Sequence, residues 1–148
     1  MTPASVSPWK LHLLLATGLF LLLSSLAHSF LGWPSIRPQL AAACVPDDRV
    51  GALAAGWHFG GLAMAAFGAI VLLTWRRARA GVVCAAGGLE AVGVVAAAYI
   101  VFGTAAFVLR SFAPFFLIFI VPGVALAACV WSRSRHPGGA PTEGSDRR

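Results

Sequence analysis

Four blocks of nearly uninterrupted apolar residues dominate this sequence, at about 11–31, 50–75, 81–109 and 114–131. Each is close to the roughly 20 residues that a helix needs to cross a hydrocarbon core about 30 Å thick. Hydrophobic residues make up 59% of the chain and charged residues 11%, whereas about 25% of a typical soluble domain is charged. The pattern therefore predicts an all-α, integral membrane four-helix bundle.

The basic residues predict how this bundle sits in the membrane. Four spans place the N-terminus, the 76–80 loop and the C-terminal tail on one side. Eight of the eleven basic residues lie there: Lys10, Arg76, Arg77, Arg79, Arg133, Arg135, Arg147 and Arg148. Because such residues concentrate in cytoplasmic loops, we expect up-down-up-down topology in a bacterial inner membrane, with both termini cytoplasmic. The same placement disfavours a nucleic-acid partner, despite the net charge of +6.

The segments outside the blocks predict one membrane domain, 1–131, and one tail. Residues 32–50 contain three prolines and four charges, which favours a loop. Residues 132–148 are polar, without apolar periodicity, and predict a disordered cytoplasmic tail. Ser25 and Ala27 would fit a signal-peptide cleavage rule, but the first block is longer than a signal peptide's apolar region, so a retained helix is expected.

Small residues line the predicted second and third helices and indicate how the helices associate. Because lipid tails are as apolar as the helices, helices in a membrane associate by close packing rather than by the hydrophobic effect. Gly56 and Gly60 form a GxxxG pattern. Two stripes at spacings of three or four residues each carry one polar residue: Ala54, His58, Gly61, Ala65 and Gly68 in the second helix, and Ala86, Glu90, Gly93 and Ala97 in the third.

Ionisable residues within the spans are the first candidates for function, because each is costly in lipid. His12 and His28 lie near the ends of the first block, whereas His58 and Glu90 lie deeper. Helical rise places His58 and Glu90 at similar depths. We hypothesise that they face each other and share a proton or a hydrogen bond. The alternative is a neutral Glu90 that serves only as packing.

A cofactor is not expected, although His28 and His58 permit one alternative. Two histidines in the same leaflet are compatible with haem or a metal ion. A stable metal site would need a third ligand such as Asp47, Asp48 or Cys44. The cysteines Cys44, Cys84 and Cys129 show no CxxC spacing and are interpreted as packing residues.

The stretch HSFLGWPSIRPQL at 28–40, followed by Arg49 and the Trp57–His58 pair, resembles a family of uncharacterised small bacterial four-span membrane proteins. Their pattern reads HSxLGE, then an RPLL-like segment, then WH, and it covers about half of this chain. The resemblance implies one constellation at the outer face, formed by His28, Ser29, Gly32, Arg37, Pro38, Trp57 and His58. Trp33 stands where the pattern has Glu, so a site that needs that carboxylate is not expected here.

Three functions remain open from the sequence. We expect an interaction or accessory protein with a polar cluster at the outer leaflet, whose partners are the lipid bilayer and other membrane proteins or a second copy. That cluster comprises His28, Ser29, Arg37, Trp57, His58 and Glu90. The alternatives are a proton-handling or haem- or metal-binding redox element using His28, His58 and Glu90, and a small transporter or channel. The absence of GxSxG, HExxH and nucleotide-loop motifs disfavours an enzyme without deciding the question.

Overall fold

The computed structural model describes residues 6–82 and 89–131, and within these ranges the chain forms helices and turns without strands. The elements are α1 (Pro8–Ala27), a π-helical segment (His28–Gly32), α2 (Trp33–Ala42), α3 (Asp47–Arg79), α4 (Glu90–Leu109), a 3₁₀ turn (Pro114–Phe116) and α5 (Leu117–Trp131). The predicted tail, and the part of the third block at 83–88 with Cys84, lie outside the described residues.

Four helical stretches are long and apolar enough to cross a membrane: Pro8–Ala42, Asp47–Arg79, Glu90–Leu109 and Pro114–Trp131. The all-α class predicted from the sequence is confirmed. The first two stretches contain 35 and 33 residues, and the last two contain 20 and 18. The bundle therefore combines two long helical stretches with two short ones.

The loop expected at 32–50 is wrong over most of its length, because α2 continues the first helix as far as Ala42. Pro34 lies in the first turn of α2, but the helix already runs through the residues before it, so the missing N–H removes one bond from a continuing helix. The π-helical segment immediately before it widens the backbone. Ser35 Oγ donates to the Gly32 carbonyl at 2.7 Å, and Gln39 Nε2 to the Ser35 carbonyl at 2.9 Å. Helical backbone is thus retained around both prolines.

α1 and α3 form a close antiparallel pair. Gly18 lies against Val71 and Leu72, and Gly61 lies against Ser25, so the contacts run in opposite directions along the two helices. A Cβ added to Gly68 would lie 3.1 Å from the Gly18 carbonyl oxygen. Only glycine allows the two backbones to approach this closely.

α4 and α5 form a second antiparallel pair by the same means. A Cβ on Gly103 would lie 3.0 Å from the Ile120 backbone nitrogen, and one on Gly123 would lie 3.0 Å from that of Ile100. The two pairs meet through α1 and α5, where Cys129 Sγ lies 3.9 Å from the Lys10 carbonyl oxygen. The two pairs contact each other less extensively than the two helices within each pair do. We call the region between the two pairs the seam.

The two ends of the bundle differ. The terminal end holds Pro8, Arg79, Glu90 and Trp131, and the hairpin end holds α2, the start of α3 and the α4–α5 connection. Fully buried side chains fill the seam from the terminal end to its middle: Leu14, Leu21, Val71, Val92, Val95, Leu126 and Cys129. Aromatic rings and cavities occupy the other half.

Candidate functional site

His28 and Trp57 make a reciprocal contact between the π-helical segment and α3. The Trp57 indole N–H donates to the His28 carbonyl at 2.6 Å, and His28 Nε2 lies 3.1 Å from the Trp57 carbonyl oxygen. Their rings stack with centroids 4.2 Å apart and planes 2° from parallel. Because a carbonyl can only accept, His28 Nε2 carries a hydrogen and donates it.

Two further rings extend this contact into a row of four. Trp33 at the start of α2 lies 6.4 Å from the Trp57 ring and 6.1 Å from the His58 ring, measured between centroids. The order of contacts is His28, Trp57, Trp33, His58. His28 and His58 are thus connected through two tryptophans.

Serines and glycines bring the helices close enough for this row to form. Ser25 Oγ donates to the Gly61 carbonyl at 2.7 Å, one turn below His28. A Cβ on Gly61 would collide with Ser29 Oγ, and one on Gly32 would lie 2.8 Å from Trp57 Cζ2. Gly56 has open space where a Cβ would stand. The close approach therefore uses Gly61 and Gly32, and not the Gly56–Gly60 pattern as a unit.

The structure brings together four of the six residues predicted as a polar cluster: His28, Ser29, Trp57 and His58. Arg37 lies further out on α2 and is exposed. Glu90 opens α4 at the terminal end of the bundle and is exposed as well. Four of the six residues therefore lie near one another at the hairpin end, and Glu90 lies at the opposite end of the bundle.

The hypothesis that Glu90 faces His58 is wrong. The Phe67 and Tyr99 rings are in contact, with centroids 6.1 Å apart. His58 precedes Phe67 by nine residues, and Glu90 precedes Tyr99 by nine, or about 13 Å of helix in each case. Since α3 and α4 run in opposite directions, the two side chains are about 27 Å apart along the bundle. The similar depths predicted for His58 and Glu90 were wrong because the sequence does not fix where each helix begins and ends.

Among the described residues, His28 and His58 of the alternative haem or metal site do not lie beside a third ligand. His28 Nε2 is engaged with Trp57, and His58 lies at the far end of the row of rings and is exposed. Asp47, Asp48 and Cys44 are exposed near the turn between α2 and α3. Over residues 6–82 and 89–131, no group of three or more His, Cys, Asp or Glu residues is placed to hold a metal ion.

Sequence reasoning missed Tyr99, the single tyrosine of the chain. Tyr99 lies in the middle of α4, and its side chain is only 6% exposed. Its hydroxyl is a buried polar atom without a hydrogen-bond partner among the described residues. The sequence did contain a signal for this residue, because a single hydroxyl in the middle of an apolar block needs a hydrogen-bond partner, as a charged group does.

The residues that the family resemblance groups together separate into two sets in space. His28, Ser29, Gly32, Trp57 and His58 pack at one level, whereas Arg37 and Pro38 are exposed on α2 beyond them. The first set lies where the two long helical stretches pass the end of α4. Comparison with known protein families, curated proteins and solved structures finds no match to this chain.

Proposed function

We propose that this chain is a multi-pass protein of the bacterial inner membrane that crosses the bilayer four times, up-down-up-down, with both termini cytoplasmic. Its four apolar helical stretches and their antiparallel contacts support this topology. The basic residues Lys10, Arg76, Arg77 and Arg79 lie at the terminal end, and Arg37, Arg49 and Arg110 lie at the hairpin end. The first group and the basic tail favour a cytoplasmic position for the terminal end under the positive-inside rule.

Within that membrane, the protein acts as an interaction or accessory protein rather than as an enzyme. The observation that carries this proposal is the length of α3. Phe67 is level with Tyr99, so the end of α4 at Leu109 is level with Trp57. The ten residues of α3 before Trp57, together with α2, extend about 15 Å past α4 and α5. We call this extension, residues 33–56, the outer hairpin.

The outer hairpin has the composition of a binding surface at the membrane boundary. Arg37, Asp47, Asp48 and Arg49 are exposed on it, and Leu53 is 51% exposed beside them. Charged groups of both signs around an apolar side chain suit a polar protein partner better than they suit lipid tails. The partner is another membrane protein or a second copy of this chain.

Site-specific photo-crosslinking tests this function. A photoreactive phenylalanine at Leu53 is expected to form one discrete adduct in intact membranes. The matched control is the same residue at Val101 on α4, which is 68% exposed outside the hairpin and should yield only lipid adducts. The double variant Arg37→Glu, Arg49→Glu should remove the Leu53 adduct, and Arg77→Glu at the terminal end should not.

Equal adducts from both probe positions, or an adduct that survives the double variant, would contradict a specific hairpin partner. An adduct of twice the chain's own mass identifies the partner as a second copy. Proton handling by His28, His58 and Glu90 as one unit is not proposed, because Glu90 lies about 27 Å from His58 along the bundle.

A further inference from the structure

One face of α3 continues outward past the end of α4. Within the bundle, Gly60 and Phe67 on this face border a cavity together with residues of α4. Toward the start of α3, Gly56, Leu53 and Arg49 follow Gly60 at intervals of three or four residues. Such spacing keeps them on the same face of the helix. α4 therefore covers this face inside the bundle and leaves it uncovered in the outer hairpin.

The uncovered face forms the floor of a groove of about 680 Å³, which we call the hairpin groove. The stacked rings of His28 and Trp57 line its inner end, and Val45 borders it farther out. A Cβ on Gly56 would meet no atom within 4 Å, and Leu53 is 51% exposed. The groove therefore has room for a large apolar side chain of a partner.

Arg49 supplies the charge of the hairpin groove, since the other described residues that line it are uncharged. Asp47 and Asp48 precede Arg49 without lining the groove. Over residues 6–82 and 89–131, Arg49 forms no ion pair with a carboxylate. A guanidinium presents a planar set of donors that matches a carboxylate. The groove thus complements a segment in which an acidic side chain lies beside a large apolar one.

The height of the groove above the membrane excludes an acyl chain as its occupant. Trp57 is level with the end of α4, which marks the edge of the hydrocarbon core in the proposed topology. Arg49 precedes Trp57 by eight residues, so its backbone lies about 12 Å farther out. Headgroups extend only about 5–8 Å past that core. Apolar surface at this height is buried by a polypeptide and not by lipid tails.

The position of α4 excludes a second copy of this chain from the groove. α4 lies against the same face of α3 directly below the groove. A second copy in the same membrane orientation has its own spans beneath its outer hairpin, and those spans would overlap α4. The occupant is therefore a segment that stays outside the bilayer at this point.

We propose that the hairpin groove binds an external segment of another membrane protein. An Asp or Glu side chain of that segment pairs with Arg49, and a neighbouring large apolar side chain fills the space over Gly56. This inference rests on the proposed function and narrows its partner to a protein other than a second copy. The ion pair gives specificity, because the partner's carboxylate would be left unpaired without Arg49.

Photo-crosslinking from inside the groove tests the occupant. A photoreactive phenylalanine at Ala52, which lines the groove, is expected to form a protein adduct in intact cells. The matched control is the same probe at Ala55, which is exposed on α3 outside the groove. Gly56→Leu fills the groove and should abolish the Ala52 adduct. Gly51→Leu should leave it intact, since Gly51 has equally open space but does not line the groove.

Mass spectrometry of the adduct then identifies the contacted segment. The attachment point is expected in an external segment of the partner, within four residues of an Asp or Glu. Arg49→Glu should lower the adduct yield at least tenfold, and Lys at that acidic position of the partner should restore it. An attachment point within a transmembrane span, an adduct of two copies, lipid adducts alone, or a failed restoration would overturn the proposal.

The same probes separate the groove from the hairpin partner as such. A Leu53 adduct that is lost in the double variant Arg37→Glu, Arg49→Glu but persists in Gly56→Leu would overturn the groove and leave the hairpin partner standing. Absence of any protein adduct from Leu53 and from Ala52 in the wild type would contradict both.

Discussion

At the scale of single residues, His28 and Trp57 form one contact, although they lie in different apolar blocks of the sequence. The histidine near the end of the first apolar block and the tryptophan of the second bind each other's carbonyl groups through their ring N–H groups. The contact therefore holds the π-helical segment against α3.

Trp57→Phe is expected to lower the stability of the bundle. The change removes the indole donor to the His28 carbonyl while keeping an aromatic ring, so the loss should be about 0.6–1.7 kcal/mol, the range for hydrogen bonds between membrane helices. The measurement is reversible unfolding in mixed SDS micelles. Trp131→Phe is the control, because Trp131 is 83% exposed and should leave the midpoint unchanged. Equal midpoints for all three proteins would contradict the structural role given to Trp57.

At the scale of elements, the two antiparallel pairs explain which small residues matter. Glycine and alanine are abundant in every span, so their spacing predicts many faces for each helix. The structure uses Gly18, Gly61 and Gly68 in one pair and Gly103 and Gly123 in the other. The cavities between the pairs lie in the hairpin half of the seam.

Gly123→Ala is expected to separate α4 from α5. The new Cβ would lie 3.0 Å from the Ile100 nitrogen and 3.1 Å from the Ala96 carbonyl oxygen. Both are backbone atoms that cannot rotate away, so the loss of stability should be about 1–3 kcal/mol. Gly56→Ala should be neutral or stabilising, since a Cβ there meets nothing within 4 Å and alanine favours a helix by about 1 kcal/mol. The same unfolding assay compares the two, and similar losses would refute the assigned packing.

At the scale of the whole molecule, the unequal lengths of the spans divide the protein into a membrane core and an extension. α4 and α5 end at the level of the His28–Trp57 contact, and the outer hairpin continues beyond them. The proposed topology places Cys44, which is exposed in the turn between α2 and α3, outside the membrane. The same topology places the basic terminal end in the cytoplasm.

Labelling of Cys44 tests that orientation. In a background with Cys84→Ser and Cys129→Ala, a membrane-impermeant maleimide should label Cys44 in right-side-out vesicles and leave it unlabelled in sealed inverted ones. Cys44→Ser in the same background gives the blank. Labelling confined to the inverted vesicles would reverse the topology and with it the external position of the outer hairpin.

The amino-acid sequence alone determined the all-α class and the four apolar segments, and it predicted His28, Trp57 and His58 as candidate site residues. A helix in lipid satisfies its backbone within one segment, so its presence is a local property that a window of about 20 residues reveals. The tertiary structure decided that the first helix continues past Pro34, that Gly61 rather than Gly56 makes the close approach, and that Glu90 lies far from His58. It also placed Tyr99 beside a cavity. These outcomes depend on which faces of separate segments fit each other, and that fit is set by packing across the bundle rather than by any one segment.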